Sequence, residues 1–219
     1  MKQVLLSTAS LAQDWLAEEL MPVLNQTSRV LVLTCIKEEF RIVGDSLESY
    51  TQKEIARSLR YYGVEKDQMV FCRLIHKNQE KIQAFLKIVN VVIFVGNNPS
   101  LAYQRLEEYG LLGSLQQFQG ELVLIGPMAY LFLEENPYSP RTLARIHGFD
   151  LILNYVEQEQ TLKEIIDLLE EKGQSVIAFT AHSGVSIESE EISPLGEAYL
   201  FQPSQLDELY QAYATYFKS

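Results

Sequence analysis

The chain has 219 residues, of which 47% are hydrophobic and 21% charged, the composition of an ordinary globular protein with a sizeable core, which excludes disordered and fibrous classes. Its 18 Lys and Arg against 29 Asp and Glu give a formal charge of −11. That balance argues against a basic nucleic-acid face and against a polybasic membrane surface.

Apolar runs of strand length alternate with amphipathic segments. Gln3 to Leu6 reads as a strand, and the spacing of Leu11, Trp15, Leu16, Leu20 and Val23 predicts a helix from about Ser10, its N-cap, to Leu24. Arg29 to Ile36 is a second strand, followed by a loop through Gly44 and a helix from Ser49 to Tyr62. Met69 to Ile75 is a third strand. Asn78 caps a helix from Gln79 to Ile88, and Val91 to Val95 is a fourth strand. Helical stretches follow at Ser100 to Tyr109 and Leu111 to Phe118, then a continuous apolar strand at Leu122 to Ile125, as in a sheet buried on both faces. Met128 to Glu135 and Pro140 to His147 read as helical around a break at Asn136-Pro137. Leu151 to Tyr155 is a strand and Thr161 to Lys172 a helix stopped by Gly173. The rhythm then changes to short strands at Val176 to Thr180, Val185 to Ser189 and Ala198 to Phe201, before a last helix from Gln205 to Phe217. This order predicts one domain over residues 1–219. Its fold class is a three-layer α/β/α sandwich, with a mainly parallel sheet and short antiparallel C-terminal strands.

Open sheets of this kind place ligands beyond the carboxyl ends of the strands. Two such ends stand out, VVIFVG-NNPS at Gly96 to Ser100 and ELVLIG-PMAY at Gly126 to Tyr130. The second is similar to a nucleophile elbow, in which a tight strand-to-helix turn lifts a hydroxyl or thiol above the sheet. Here the nucleophile slot holds Met128 and the second glycine slot holds Tyr130. A thioether carries no proton to lose and cannot act as the covalent nucleophile of acyl transfer.

IFVGNNPSLAYQRLEEYGLLGSLQQF followed by LVLIGPMAY, within Val91 to Leu133, resembles the dipeptidase E-like serine peptidases of the class I glutamine amidotransferase-like fold. VIAFTAHSGVSIESEEISPLGEAYLF looks like that family's terminal hairpin region. The resemblance implies a serine at Met128, oxyanion-hole glycines at Asn97 and Asn98 after a retained Gly96, and a histidine at Val156, in the stretch Asn154-Tyr155-Val156-Glu157. Pro99 replaces an Asn in the following pair and has no backbone N–H to donate. The frame is therefore that of a family member whose reactive residues have been replaced.

Ser100 and Cys35 are the alternatives for a relocated nucleophile; their ordinary roles are a first-turn helix residue and a buried strand thiol. Cys35 and Cys72 are too few for a disulfide framework, and the three histidines, His76, His147 and His182, have no metal-ligand spacing, so neither a metal nor a cofactor is expected. Gly96, Asn97, Asn98 and Asn154, with Tyr130 and Tyr155, form a candidate lining for a small polar or peptide-like ligand. Ser7, Thr8, Glu134, Glu135 and Glu157 read as ordinary loop or solvated residues. The opening MKQVLLSTAS lacks a signal-peptide pattern and no apolar run reaches the ~20 residues of a membrane span. A cytoplasmic protein is expected, with no membrane or nucleic-acid partner and with a homodimer as the base-rate assembly. The functional expectation is a catalytically silent homologue with a binding or assembly role. Its alternatives are a hydrolase with a relocated nucleophile and an amidotransferase-like subunit that works with a partner.

Overall fold

The computed structural model describes residues 2–37, 41–42, 45–134, 141–189 and 191–216. In chain order the strands are β1 (Lys2–Leu6), β2 (Val30–Cys35), β3 (Arg41–Ile42), β4 (Asp45–Ser46), β5 (Met69–Arg73), β6 (Val91–Gly96), β7 (Glu121–Ile125), β8 (Phe149–Ile152), β9 (Ser175–Glu188) and β10 (Glu191–Phe201). The helices are α1 (Asp14–Leu20), α2 (Leu47–Tyr61), α3 (Gln79–Phe85), α4 (Pro99–Glu108), α5 (Leu112–Gln116), α6 (Glu159–Lys172) and α7 (Leu206–Thr215). The strands β3 and β4 pair only with each other. The main sheet runs β10-β9-β1-β7-β6-β2-β5, and β8 pairs with β9 as well.

Strands β1, β7, β6, β2 and β5 are parallel to one another. Every residue of β2 (VLVLTC) and β6 (VVIFVG) is buried, which explains why their sequences are continuous apolar runs rather than alternating ones. Leu31, Leu33, Val92 and Phe94 face one layer, with Ile82 of α3 and Ala102 and Leu106 of α4. Val30, Val32, Val91 and Ile93 face the other, with Leu16 and Leu20 of α1 and Ile55 and Leu59 of α2. Each fully buried leucine, isoleucine or phenylalanine contributes about 1.5–3 kcal/mol of transfer free energy. The α/β class with helices on both faces is thus the one expected from the sequence.

The C-terminal strands are antiparallel as expected, but they are long, not short. β9 runs unbroken from Ser175 to Glu188, through the Ala181-His182-Ser183-Gly184 stretch that reads as a turn in the sequence. One edge of β9 is shared: β8 pairs parallel with Ser175 to Ala178, and β1 pairs antiparallel with Gly184 to Glu188. β10 pairs along the other edge, with a register shift between Gly196 and Ala198. Gly196 has φ +61°, and a Cβ there would lie 2.3 Å from the His182 carbonyl oxygen and 2.8 Å from the Trp15 ring. The bulge therefore needs glycine at this position.

Two helical expectations fail for identifiable reasons. α1 starts at Asp14 rather than Ser10 because Leu11 and Ala12 donate their backbone N–H groups to the buried Ser58 hydroxyl at 3.0 and 3.3 Å. The Tyr62 hydroxyl also donates to the Leu11 carbonyl at 2.8 Å. Residues 141–147 are not helical. Their N–H groups go across to the preceding turn, from Leu143 to the Leu131 carbonyl at 2.7 Å and from Arg145 and Ile146 to the Phe132 carbonyl at 2.9 Å. The expected break at Asn136-Pro137, and Glu135, lie outside the described residues.

Burial pushes the phenols of Tyr62 and Tyr155 up to about 12. Neighbouring Tyr61 adds to the first shift, and Glu157, Tyr199 and Tyr216 add to the second. An unfolded tyrosine ionises near pH 10. The stability these two phenols contribute is therefore complete below about pH 10 and is lost as pH rises to about 12, where only the unfolded chain has already released the protons. Urea midpoints are expected to fall across that window, and Tyr155→Phe is expected to make the fall shallower. An ultraviolet titration should show Tyr62 and Tyr155 ionising late.

Candidate functional site

The carboxyl ends of β1, β2, β5, β6 and β7 lie along one edge of the sheet, and the residues singled out from the sequence occupy it unevenly. Gly96 ends β6 opposite Cys35 of β2. A Cβ on Gly96 would lie 2.3 Å from the Cys35 carbonyl oxygen and 3.2 Å from the Met128 methyl carbon. The strand end is closed by that methionine. Gly126 turns the chain at φ +61° and leads into a 3-10 segment, Gly126–Leu131, in place of the expected longer helix. Met128 within it is fully buried and packs in the cluster that holds Phe94 and Phe132. A nucleophile elbow needs its reactive residue raised into an open cleft, whereas Met128 is directed into the core. The next slot, Tyr130, is buried too, and its hydroxyl donates to the Leu151 carbonyl of β8 at 2.9 Å.

The polar residues of the first turn serve the backbone. Asn97 accepts from the Lys37 N–H through Oδ1 at 2.9 Å, tying the turn to the segment after β2. Asn98 is the N-cap of α4 and accepts from the Leu101 N–H at 2.9 Å. Pro99 occupies the first helical position, where a missing N–H costs nothing. Ser100 follows in the first turn of α4, half-buried and engaged in a contact of its own. Asn154 and Val156 sit on the chain leaving β8. Asn154 is exposed at φ +57°, Val156 is 63% exposed, and the Tyr155 between them is buried, its N–H donating to the Phe179 carbonyl at 2.7 Å. The structure thus brings Gly96, Cys35 and Met128 together. It leaves Asn154 and Val156 on a loop joined to that group through the Tyr130–Leu151 hydrogen bond.

Cys35 is fully buried. Burial pushes its thiol above the ordinary cysteine value, and the nearby guanidinium of Arg105, 3.8 Å from Sγ, offsets only part of that. Arg105 also donates to the Leu74 carbonyl at 3.1 Å. A thiolate needs a basic or cationic partner that overcomes desolvation, and here desolvation dominates.

One constellation is not singled out in the sequence reading. The Thr34 hydroxyl donates to Oε1 of Glu48, and Arg73 Nε lies 3.3 Å from Oε2 of the same carboxylate. Thr34 and Glu48 are buried at the ends of β2 and the start of α2. A carboxylate taken out of water needs such partners, so this group pins α2 to the strand ends. Thr34 in VLVLTCI and Arg73 in MVFCRLI are polar residues inside apolar runs, and that is the signal that points to them.

The three histidines lie apart. His76 meets the Tyr109 ring edge-on at 5.8 Å, His147 is 3.3 Å from a carboxylate oxygen of Glu134, and His182 is exposed on β9. Among the described residues no group of three or more His, Cys, Asp or Glu is placed to hold a metal ion. Ser7 Oγ donates to the Ala181 and Ser183 carbonyls at 3.0 and 2.9 Å and so clamps the middle of β9. Two clefts lie away from the carboxyl edge. One of about 790 Å³ sits at the amino ends of β2 and β5, between Arg29, Val70 and Phe85. Another of about 510 Å³ sits at the amino end of β1, between Gln3, Arg145 and Ile187. No helix among the described residues is long and apolar enough to cross a membrane.

The chain matches no protein-family model and no curated protein. Solved structures do match. A peptidase E candidate from Listeria monocytogenes EGD-e is similar with a TM-score of 0.61 at 13% identity, over 88% of this chain and 96% of that one. A peptidase from an acI-B1 Actinobacterium is similar with a TM-score of 0.62 at 11% identity, over 92% of this chain and 91% of that one. At such identities the likeness is one of fold, and the fold of this chain is the α/β fold of peptidase E proteins.

Proposed function

We propose that this chain is a peptidase E-type scaffold that does not carry out serine peptidase chemistry and acts by binding. One observation carries the reading: the position where the family resemblance implies a serine is Met128, fully buried in a 3-10 segment instead of raised on an elbow. Three others support it. Val156 stands where the resemblance implies the base, and a valine accepts no proton. Asn97 and Asn98 spend their side chains on the backbone, and the residue after them is a proline. Of the two relocation candidates, the Cys35 thiol is buried with its pKa pushed up, and Ser100 sits half-buried in the first turn of α4.

Purified protein incubated with an Asp-Xaa dipeptide, the substrate class that the resemblance implies, is expected to release amino acids no faster than buffer. Turnover above that background, or covalent labelling by a fluorophosphonate, overturns the reading. Met128→Ala is expected to cost about 2–5 kcal/mol of stability, as loss of a well-packed core side chain does. A urea curve unchanged from the parent would show that Met128 is not a core plug. Cys35 and Cys72 are both buried, so an aromatic disulfide reagent is expected to titrate both thiols in urea and neither in the native protein.

A further inference from the structure

β10 is the outermost strand of the main sheet and pairs, among the described residues, only with β9. None of its eleven residues is buried. An edge strand left open in this way is a template for another chain unless something blocks it. The first part of β10 is blocked: it holds Glu191, Pro194, Glu197 and the Gly196 bulge. The second part, Ala198-Tyr199-Leu200-Phe201, has no charge, no proline and no glycine. Tyr199 is 50% and Leu200 36% exposed, on opposite faces of the strand. The Tyr199 ring lies 5.3 Å from Tyr155 and 6.3 Å from Phe201, stacked on the latter, so the aromatic wall beside this edge is fixed in place. Val156, 63% exposed, follows Tyr155 directly.

The charge around this edge is one-sided. From Asp150 to the end, the chain has 13 acidic residues and 3 basic ones, so ten of its eleven net negative charges fall in the last third. Glu157 neighbours Tyr155, and Glu197 lies two residues before Tyr199. Two copies of this chain meeting edge to edge would bring two such acidic regions together, which costs free energy at low salt. A segment bearing Lys or Arg instead gains carboxylate partners and the exposed aromatic face of Tyr199.

We propose that Ala198–Phe201 is a docking edge for an extended, Lys/Arg-bearing segment of a partner protein, which adds a strand beside β10. Backbone hydrogen bonds to the open edge supply the pairing, alternate side chains reach Tyr199 on one face and Leu200 on the other, and the acidic surround selects a cationic partner. The inference deepens the binding reading above. Peptide hydrolysis would overturn that reading and leave this edge untouched, whereas loss of peptide binding overturns this proposal alone.

The test is fluorescence anisotropy of the intact protein with a labelled peptide of alternating lysine and valine. Binding is expected, and it should weaken about tenfold or more between roughly 20 and 200 mM NaCl, as screened charge contacts do. N-methylation of alternate peptide nitrogens, and the double variant Tyr199→Ala/Leu200→Ala, are each expected to weaken it by about tenfold. Both positions are exposed, and an unchanged circular dichroism melt would confirm that the variant folds. A peptide of alternating glutamate and valine is expected not to bind. Failure of the lysine peptide to bind, equal binding of both peptides, or indifference to N-methylation and to the double variant each overturns the proposal. So does a concentration-dependent dimer that Leu200→Lys dissolves, because the edge would then belong to a second copy.

Discussion

β9 is gripped along one edge by two strands from opposite ends of the fold's order, β8 over Ser175 to Ala178 and β1 over Gly184 to Glu188. This double pairing joins the C-terminal region to the parallel sheet. Ser7 sets its geometry: the hydroxyl donates to carbonyls on either side of His182 and accepts from the Ser183 N–H at 3.1 Å, holding in place the middle of β9 between the β8 and β1 pairings. Because β9 is fixed there, β10 is presented outward, and Tyr155 meets Tyr199 and Phe201 at the end of β8. The edge, its aromatic wall and the placement of α6 and α7 behind them all follow from one shared strand.

At the carboxyl edge of the sheet, position 128 belongs to the core packing. Gly96 is pressed against the Cys35 carbonyl and the Met128 methyl, and Tyr130 spends its hydroxyl on β8. A serine at position 128 would have to leave the core before it could attack anything, and the 3-10 segment would have to rewind around it. The same contacts that stabilise this strand end therefore work against the chemistry that its sequence context suggests. Strand pairing and apolar layers hold this frame together independently of whichever residues occupy the strand ends.

The parallel sheet was legible because β2 and β6 are buried on both faces and so are written as uninterrupted apolar runs. The stop at Gly173, with φ +63°, reflects a local rule that needs no tertiary context. The failures lie where distant groups outbid local ones. Ser58 draws the N–H groups of Leu11 and Ala12 away from a helix. Carbonyls at Leu131 and Phe132 do the same to residues 143–146. In β9, Ser-Gly reads as a turn, but pairing with β10 on one side and the Ser7 clamp on the other keep the strand running. At the site, the identity of residues was readable and their burial was not: the sequence shows a methionine at position 128, while only the structure places it against Gly96. The Thr34–Glu48–Arg73 group was hidden for the opposite reason, because a glutamate in a first helical turn looks like a solvated charge.

The shared strand also fixes an order of events during synthesis. β1 comprises residues 2 to 6, yet its antiparallel partner is residues 184 to 188. Contacts of such long sequence separation form slowly. While the ribosome is still making the last third, β1 can pair with β7 on one side only, and its other side stays open until β9 emerges. Over that interval one side of β1 remains an unpaired apolar strand edge, open to chaperones that hold extended apolar segments.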